Sequence, residues 1–134
     1  MRYLLDTNVV SDLIRNPHGQ VAESIKRVGE ESVCTSIVVA SELRYGAARK
    51  KSPRLSTRVD AVLGSLEVLP FEPPADLAYA VIRNRLEQAG KPIGGNDLLI
   101  AAHAIALGFT LVTDNEREFA RIQELSWENW VRNA

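Results

Sequence analysis

Four short strand-like runs alternate with stretches that carry helix start and stop signals, and this alternation constrains the fold more than any other feature of the chain. Residues 3–5, 32–35, 67–69 and 109–113 read as strands. Between them, Thr7 or Asn8 can cap a helix through residues 9–15, and residues 20–28 form a second one closed by Gly29. Ser36 caps a longer helix to about Lys50, and Ser52-Pro53 opens another that stops near Gly64. Pro73-Pro74 opens a helix ending at Gly90, Asn96 caps one over residues 97–107, and Gly108 stops it. A short helix around residues 116–121 and a tail with Trp127 and Trp130 complete the chain. Strands that alternate with helices predict an α/β architecture, a parallel sheet with helices on both faces. Such sheets bind ligands beyond the carboxyl ends of their strands. Asp6 and Asp114 each sit at such an end.

The 134 residues suit one domain spanning residues 1–134, and 46% hydrophobic residues suffice for a packed core. Lys and Arg number 16 against 17 Asp and Glu, so the total charge does not pull the chain towards nucleic acid. Cys34 is the sole cysteine and there are two histidines, which excludes an internal disulfide and a Cys- or His-rich metal site. The apolar start of the chain is broken by Asp6, which argues against a signal peptide or membrane span and for a soluble, cytoplasmic protein.

Four acids occupy unusual places. Asp6 and Asp114 end strands, Asp97 opens a helix that reads as buried, and Glu42 interrupts an apolar helix face. Each has an ordinary explanation: turn chemistry for Asp6 and Asp114, the helix dipole for Asp97, an arginine such as Arg49 for Glu42. As a set they suggest something else. Like charges brought together repel unless a cation lies between them, and ligation by oxygen alone selects Mg²⁺ or Mn²⁺. Carboxylates with those ions commonly hydrolyse phosphodiesters. A haloacid-dehalogenase-like phosphatase needs a second Asp where this chain has Asn8.

The stretches LLDTNVVSDL, SELRYG, GGNDLLIAAHA and LVTDNEREF, in that order and spacing, resemble a PIN-domain protein, more closely a VapC-type toxin of a bacterial toxin–antitoxin pair. The resemblance implies a PIN-like three-layer sandwich, a central parallel sheet flanked by helices. It implies a Mg²⁺-dependent endoribonuclease (Mn²⁺ a possible substitute), tRNA or another structured RNA as substrate, a cognate antitoxin as partner, and a homodimer. Asp6, Asp97 and Glu42 match the metal-binding positions, and Thr7 and Asn8 would orient Asp6. A fourth acid lies, in many relatives, two residues after the threonine that ends the last strand. Here that place is Asn115, with Asp114 adjacent, and both join the candidate catalytic set. A DNA- or structure-specific nuclease and a PIN-fold module that binds RNA or protein without cutting are the alternatives.

Other features are less specific. Residues 44–58 hold six Lys/Arg and no acid, which suits RNA, an acidic antitoxin segment or a solvated helix face. Gly94-Gly95 permits close backbone approach or is a simple loop. His103 is expected at the surface near the end of its helix, Cys34 in the core, and Trp127 and Trp130 over the core edge.

Overall fold

The computed structural model of the chain describes residues 1–132. The elements run β1 (Tyr3–Leu5), α1 (Thr7–Arg15), α2 (Gln20–Val28), a 3-10 turn (Glu30–Ser32), β2 (Val33–Ser36) and α3 (Ile37–Lys50). They continue with α4 (Pro53–Ser65), β3 (Glu67–Leu69), α5 (Ala75–Gln88), α6 (Gly95–Leu107), β4 (Thr110–Val112), α7 (Glu116–Phe119) and β5 (Trp127–Glu128). All strand pairings are parallel, in the order β3-β2-β1-β4-β5. The expected α/β sheet is therefore present, with β1 at its centre.

Burial explains why these short runs become strands. Leu4, Leu5, Leu111 and Val112 have no exposed surface, as expected of central parallel strands covered on both faces. Among the helices, α1, α3 and α4 pack on one another, α5 packs on α6, and α3 also touches α6. Glu42 of α3 meets Thr7 of α1 and Asn96 of α6 beside the carboxyl end of β1. In the register of β1 with β4, Leu5 lies opposite Val112, so the residues that follow, Asp6 and Thr113, are neighbours at that edge.

Several helix ends follow the sequence signals. Ser36 Oγ accepts from the amide of Val38 at 3.0 Å, and Ser52 Oγ from that of Leu55 at 3.1 Å, caps that each contribute about 1 kcal/mol. Gly108, at φ 71°, ends α6 in the left-handed conformation. Two caps differ from expectation. Asp6, and neither Thr7 nor Asn8, caps α1, accepting from the amide of Thr7. Gly94 precedes α6 without a side-chain cap, and Asn96 lies inside the first turn. This frees the Asn96 amide to reach Glu42.

Two further differences have physical causes. β5 is a fifth strand, two residues long, too short for any periodicity to reveal. His103 is 2% exposed, because α6 is enclosed nearly all round; its Nδ1 lies 2.8 Å from Ser36 Oγ and its ring meets Phe71 edge-on. Burial lowers its pKa. Neither Gly94 nor Gly95 has a positive φ, and a Cβ on either would meet nothing closer than 3.9 Å. Cys34 is buried, as expected, and burial pushes its thiol up to about 11. Trp130 closes the core against Tyr3, ring centroids 5.2 Å apart. Among the described residues, no helix is long and apolar enough to cross a membrane.

Candidate active site

The chain leaves β1 for α1, β2 and β3 on one side and returns through α6 to β4 on the other. Strand order therefore reverses beside β1, and a crevice forms beyond the carboxyl ends there. Asp6 follows β1 directly into this crevice and is only 3% exposed. Its two oxygens are held from opposite sides. The Thr7 amide donates to Oδ1 at 2.8 Å, and the Thr113 hydroxyl donates to Oδ2 at 2.7 Å. Burial raises the pKa of Asp6, these two hydrogen bonds lower it, and the charge of Glu42 raises it again; the net direction is upward.

Glu42 is half-buried on α3. Its Oε1 accepts from the Thr7 hydroxyl at 2.5 Å and its Oε2 from Asn96 Nδ2 at 3.1 Å. Arg49 has no part in this. Asp97, in the first turn of α6, accepts from Asn115 Nδ2 at 3.1 Å. The same Asn115 nitrogen donates to Glu118 Oε2 at 3.1 Å. Asp97 and Glu118 therefore share one donor and lie side by side. Burial first, then Glu118, Asp6 and Glu42, push Asp97 up to about 7, while Glu118, the more open of the two, is lowered, chiefly by Asp97 beside it and by the Asn115 donor.

Asp6, Glu42, Asp97 and Asn115 thus come together as expected. Thr7 orients Asp6 through its backbone amide, while its hydroxyl turns to Glu42. Asn8 is exposed and gives Asp6 no hydrogen bond among the described residues. Asp114 turns away: its Oδ1 accepts from Asn129 Nδ2 at 2.9 Å and pairs with Arg132 Nε at 2.8 Å. Side chains in extended chain alternate between faces, so with Thr113 beside Asp6, Asp114 points elsewhere and Asn115 returns to the crevice.

Two members of the site escaped the sequence reading. Thr113 is the hydroxyl that holds Asp6, and pairing the last strand with the first in register would have found it. Glu118 stands beside Asp97, one helical turn after Asn115. In sequence it reads as the polar face of a short helix, and only its i+3 spacing from Asn115 could have drawn attention to it.

Could these residues hold a metal? The donors are oxygen only, and among the described residues none of Asp6, Glu42, Asp97 or Glu118 is ion-paired with Lys, Arg or His. That set fits a hard divalent cation. It is not a ready-made cage: among the described residues no three His, Cys, Asp or Glu side chains already converge in metal-holding geometry. The acids are spaced by the donors of Thr7, Asn96, Thr113 and Asn115.

The PIN-domain family matches residues 3–125. A Ribonuclease VapC2 of Rickettsia felis is 39% identical over 132 residues, covering 97% of this chain and 98% of that protein. The chain belongs to the VapC group of PIN-domain proteins. A tRNA(fMet)-specific endonuclease VapC of Shigella flexneri is 33% identical over 131 residues, 97% of this chain and 98% of its own length. The crystal structure of VapBC2 from Rickettsia felis bound to a DNA fragment from their promoter contains a chain of the same fold. It superposes with a TM-score of 0.89 at 37% identity, over 97% of this PIN domain and 99% of that chain. The acidic crevice therefore lies in a family whose similar members include proteins named as ribonucleases.

Of the six basic residues in 44–58, two of this PIN domain are engaged internally: Arg44 pairs with Asp60, and Arg58 donates to the Ile14 carbonyl. Arg49, Lys50, Lys51 and Arg54 are exposed around the turn between α3 and α4.

Proposed function

We propose that this PIN domain is a divalent-metal-dependent endoribonuclease, the toxin of a bacterial toxin–antitoxin pair, and that it hydrolyses tRNA or another structured RNA in the cytoplasm. The observation that carries the reading is uncompensated negative charge in the crevice. Asp6, Glu42, Asp97 and Glu118 line one crevice with only neutral donors between them, none of them ion-paired among the described residues, and Asp97 is pushed up to about 7. In this reading Asp6 and Asp97 bind Mg²⁺ (or Mn²⁺), Glu42 ligates directly or through water, and Glu118 flanks Asp97. Such an ion acidifies bound water and offsets charge on the scissile phosphate.

The protein's own groups prepare for this. Thr113 and the Thr7 amide fix Asp6 at both oxygens, so its carboxylate cannot rotate away. The Thr7 hydroxyl and the Asn96 amide hold Glu42 between α1 and α6. Asn115 donates to both Asp97 and Glu118, which keeps two acids close at reduced repulsion. Burial and the neighbouring carboxylates raise Asp97, so a bound cation would offset the charge that crowds it.

The ribonuclease names of the similar proteins support RNA as substrate, and the exposed Arg49, Lys50, Lys51 and Arg54 would meet its phosphates. The VapBC2 assembly supports a cognate antitoxin as partner, and a homodimer is part of the same reading. The test is cleavage of a total tRNA pool by antitoxin-free protein, with Mg²⁺ or Mn²⁺, with chelator, and with Asp6→Asn and Asp97→Asn. Discrete fragments that vanish with chelator and with both variants support the reading. An Asp97→Asn protein that cuts like the parent overturns the site assignment. Asn115, where many relatives carry an acid, favours a second reading, an RNA- or protein-binding module without nuclease activity. Tight RNA binding without cleavage would identify it, and cleavage of DNA in a parallel assay would identify a DNA nuclease.

A further inference from the structure

Glu42 lies between two depressions. One is lined by Thr7, Ser11, Arg15, Gly46 and Lys50 together with apolar side chains. The other, about 390 Å³, lies between α3 and α6 and is lined by Val38, Ser41, Glu42, Tyr45, Asn96 and Leu99. Tyr45 stands three residues after Glu42 on the same face of α3 and is 66% exposed. Of the large hydrophobic side chains left exposed among the described residues, it is the one aromatic ring. The core makes little use of it, and its hydroxyl has no hydrogen-bond partner among the described residues.

We propose that this second depression is a nucleobase subsite, in which an unstacked base of the RNA strand, next to the phosphate at the acidic crevice, stacks on Tyr45. The inference rests on the ribonuclease reading above. Three features support it. Glu42 belongs to both the acid cluster and the pocket wall, so a strand whose phosphate lies at the acids has its neighbouring base within reach of the ring. An exposed aromatic ring with partly buried Val38 and Leu99 beside it offers the flat apolar surface that a base uses in single-stranded RNA.

The polar lining also offers partners to a base edge. Asn96 gives one Nδ2 hydrogen to Glu42 and keeps the other together with Oδ1, and Ser41 spends its proton on the Ile37 carbonyl, leaving its oxygen lone pairs. Glu42 itself only accepts when ionised. The pocket therefore offers both acceptors and an amide donor to the edge of a base that stacks on the ring.

The experiment uses Asp6→Asn protein, which should bind without cutting, and an RNA hairpin with a single 2-aminopurine in its loop. Stacking on Tyr45 quenches the probe. Tyr45→Ala should abolish the quench and weaken binding about tenfold, while Tyr45→Phe should keep both. In the cutting-competent background, Tyr45→Ala should raise KM about tenfold with kcat within about twofold. Tyr45→Ala that matches the parent in quench and KM overturns the subsite, as does a parent that gives no quench at all. A change in sedimentation with unchanged quench overturns it too, since Tyr45 would then be a contact between subunits. If Asp97→Asn cuts like the parent while the quench still depends on Tyr45, the acidic-site reading fails and the base contact stands alone.

Discussion

Two adjacent strand ends look alike in sequence and behave differently in the fold. After β1 comes Asp6, and after β4 comes Thr113 and then Asp114. Parallel pairing sets Asp6 against Thr113, so the hydroxyl of one strand end holds the carboxylate of the other. Asp114 is one residue out of phase, and its charge goes to Asn129 and Arg132 at the protein's edge. A single step of register thus separates an acid that belongs to the crevice from one that fastens the C-terminal segment.

The comparison can be broken most severely at the two aspartates themselves. Asp6→Asn should lower RNA cleavage by about 10²–10³-fold or more with the fold intact. Asp114→Asn should leave cleavage within about twofold, since it loses only a partly exposed pair worth about 0–1 kcal/mol. Fragment yield against time on the tRNA pool and circular dichroism check both. Equal losses for the two variants would erase the distinction.

Thr113→Val tests the link between the strands. It leaves Asp6 Oδ2 without its donor, which should destabilise by about 1–3 kcal/mol in urea melts and lower activity about 10- to 100-fold. Glu118→Gln removes the acid that shares the Asn115 donor with Asp97. It should cost about tenfold in cleavage, and Glu118→Asp less. No change in either would leave Glu118 a neighbour of the site and no more.

Stability sharpens the comparison in the other direction. With chelator at pH 8, the ionised Asp97 is crowded by other carboxylates, so Asp97→Asn should raise Tm by a few degrees while abolishing cleavage. Its raised pKa contributes stability below its unfolded value near 3.8, and that contribution is lost as pH climbs towards about 7. His103 has the opposite sign. It is buried with a lowered pKa, so the unfolded chain takes up the proton first, and stability falls as pH drops below about 6.5. Thermal melts between pH 5 and pH 7 should show this acid limb as a small effect. His103→Gln should flatten it, and an unchanged limb would place its origin elsewhere.

Much of this architecture was legible from residue order. The helices after Ser36 and Ser52 start where their caps predict, and β1, α2 and β3 have the expected bounds. The positions of Asp6, Glu42 and Asp97 in the crevice were also legible, because strand ends and interrupted apolar faces are local signals. What could not be read depended on partners distant in the chain. His103 looked like a surface residue until α5 and Phe71 were seen to enclose its helix. Thr113 and Glu118 acquire meaning only through register and through the fold of α7 beside Asp97. Asn96 reads as a cap, and its amide is instead committed to Glu42, 54 positions away.

The hydrogen bond between Thr113 and Asp6 closes a span of 107 residues. During synthesis Asp6 emerges 107 residues before Thr113 and waits for it without that partner. Glu118 arrives later still. A ribosome-bound fragment ending before β4 therefore lacks both the strand beside β1 and the hydroxyl that aims Asp6, and no cutting centre can assemble on it. The topology acts as a timer: Asp6 is completed only once Thr113 has been made.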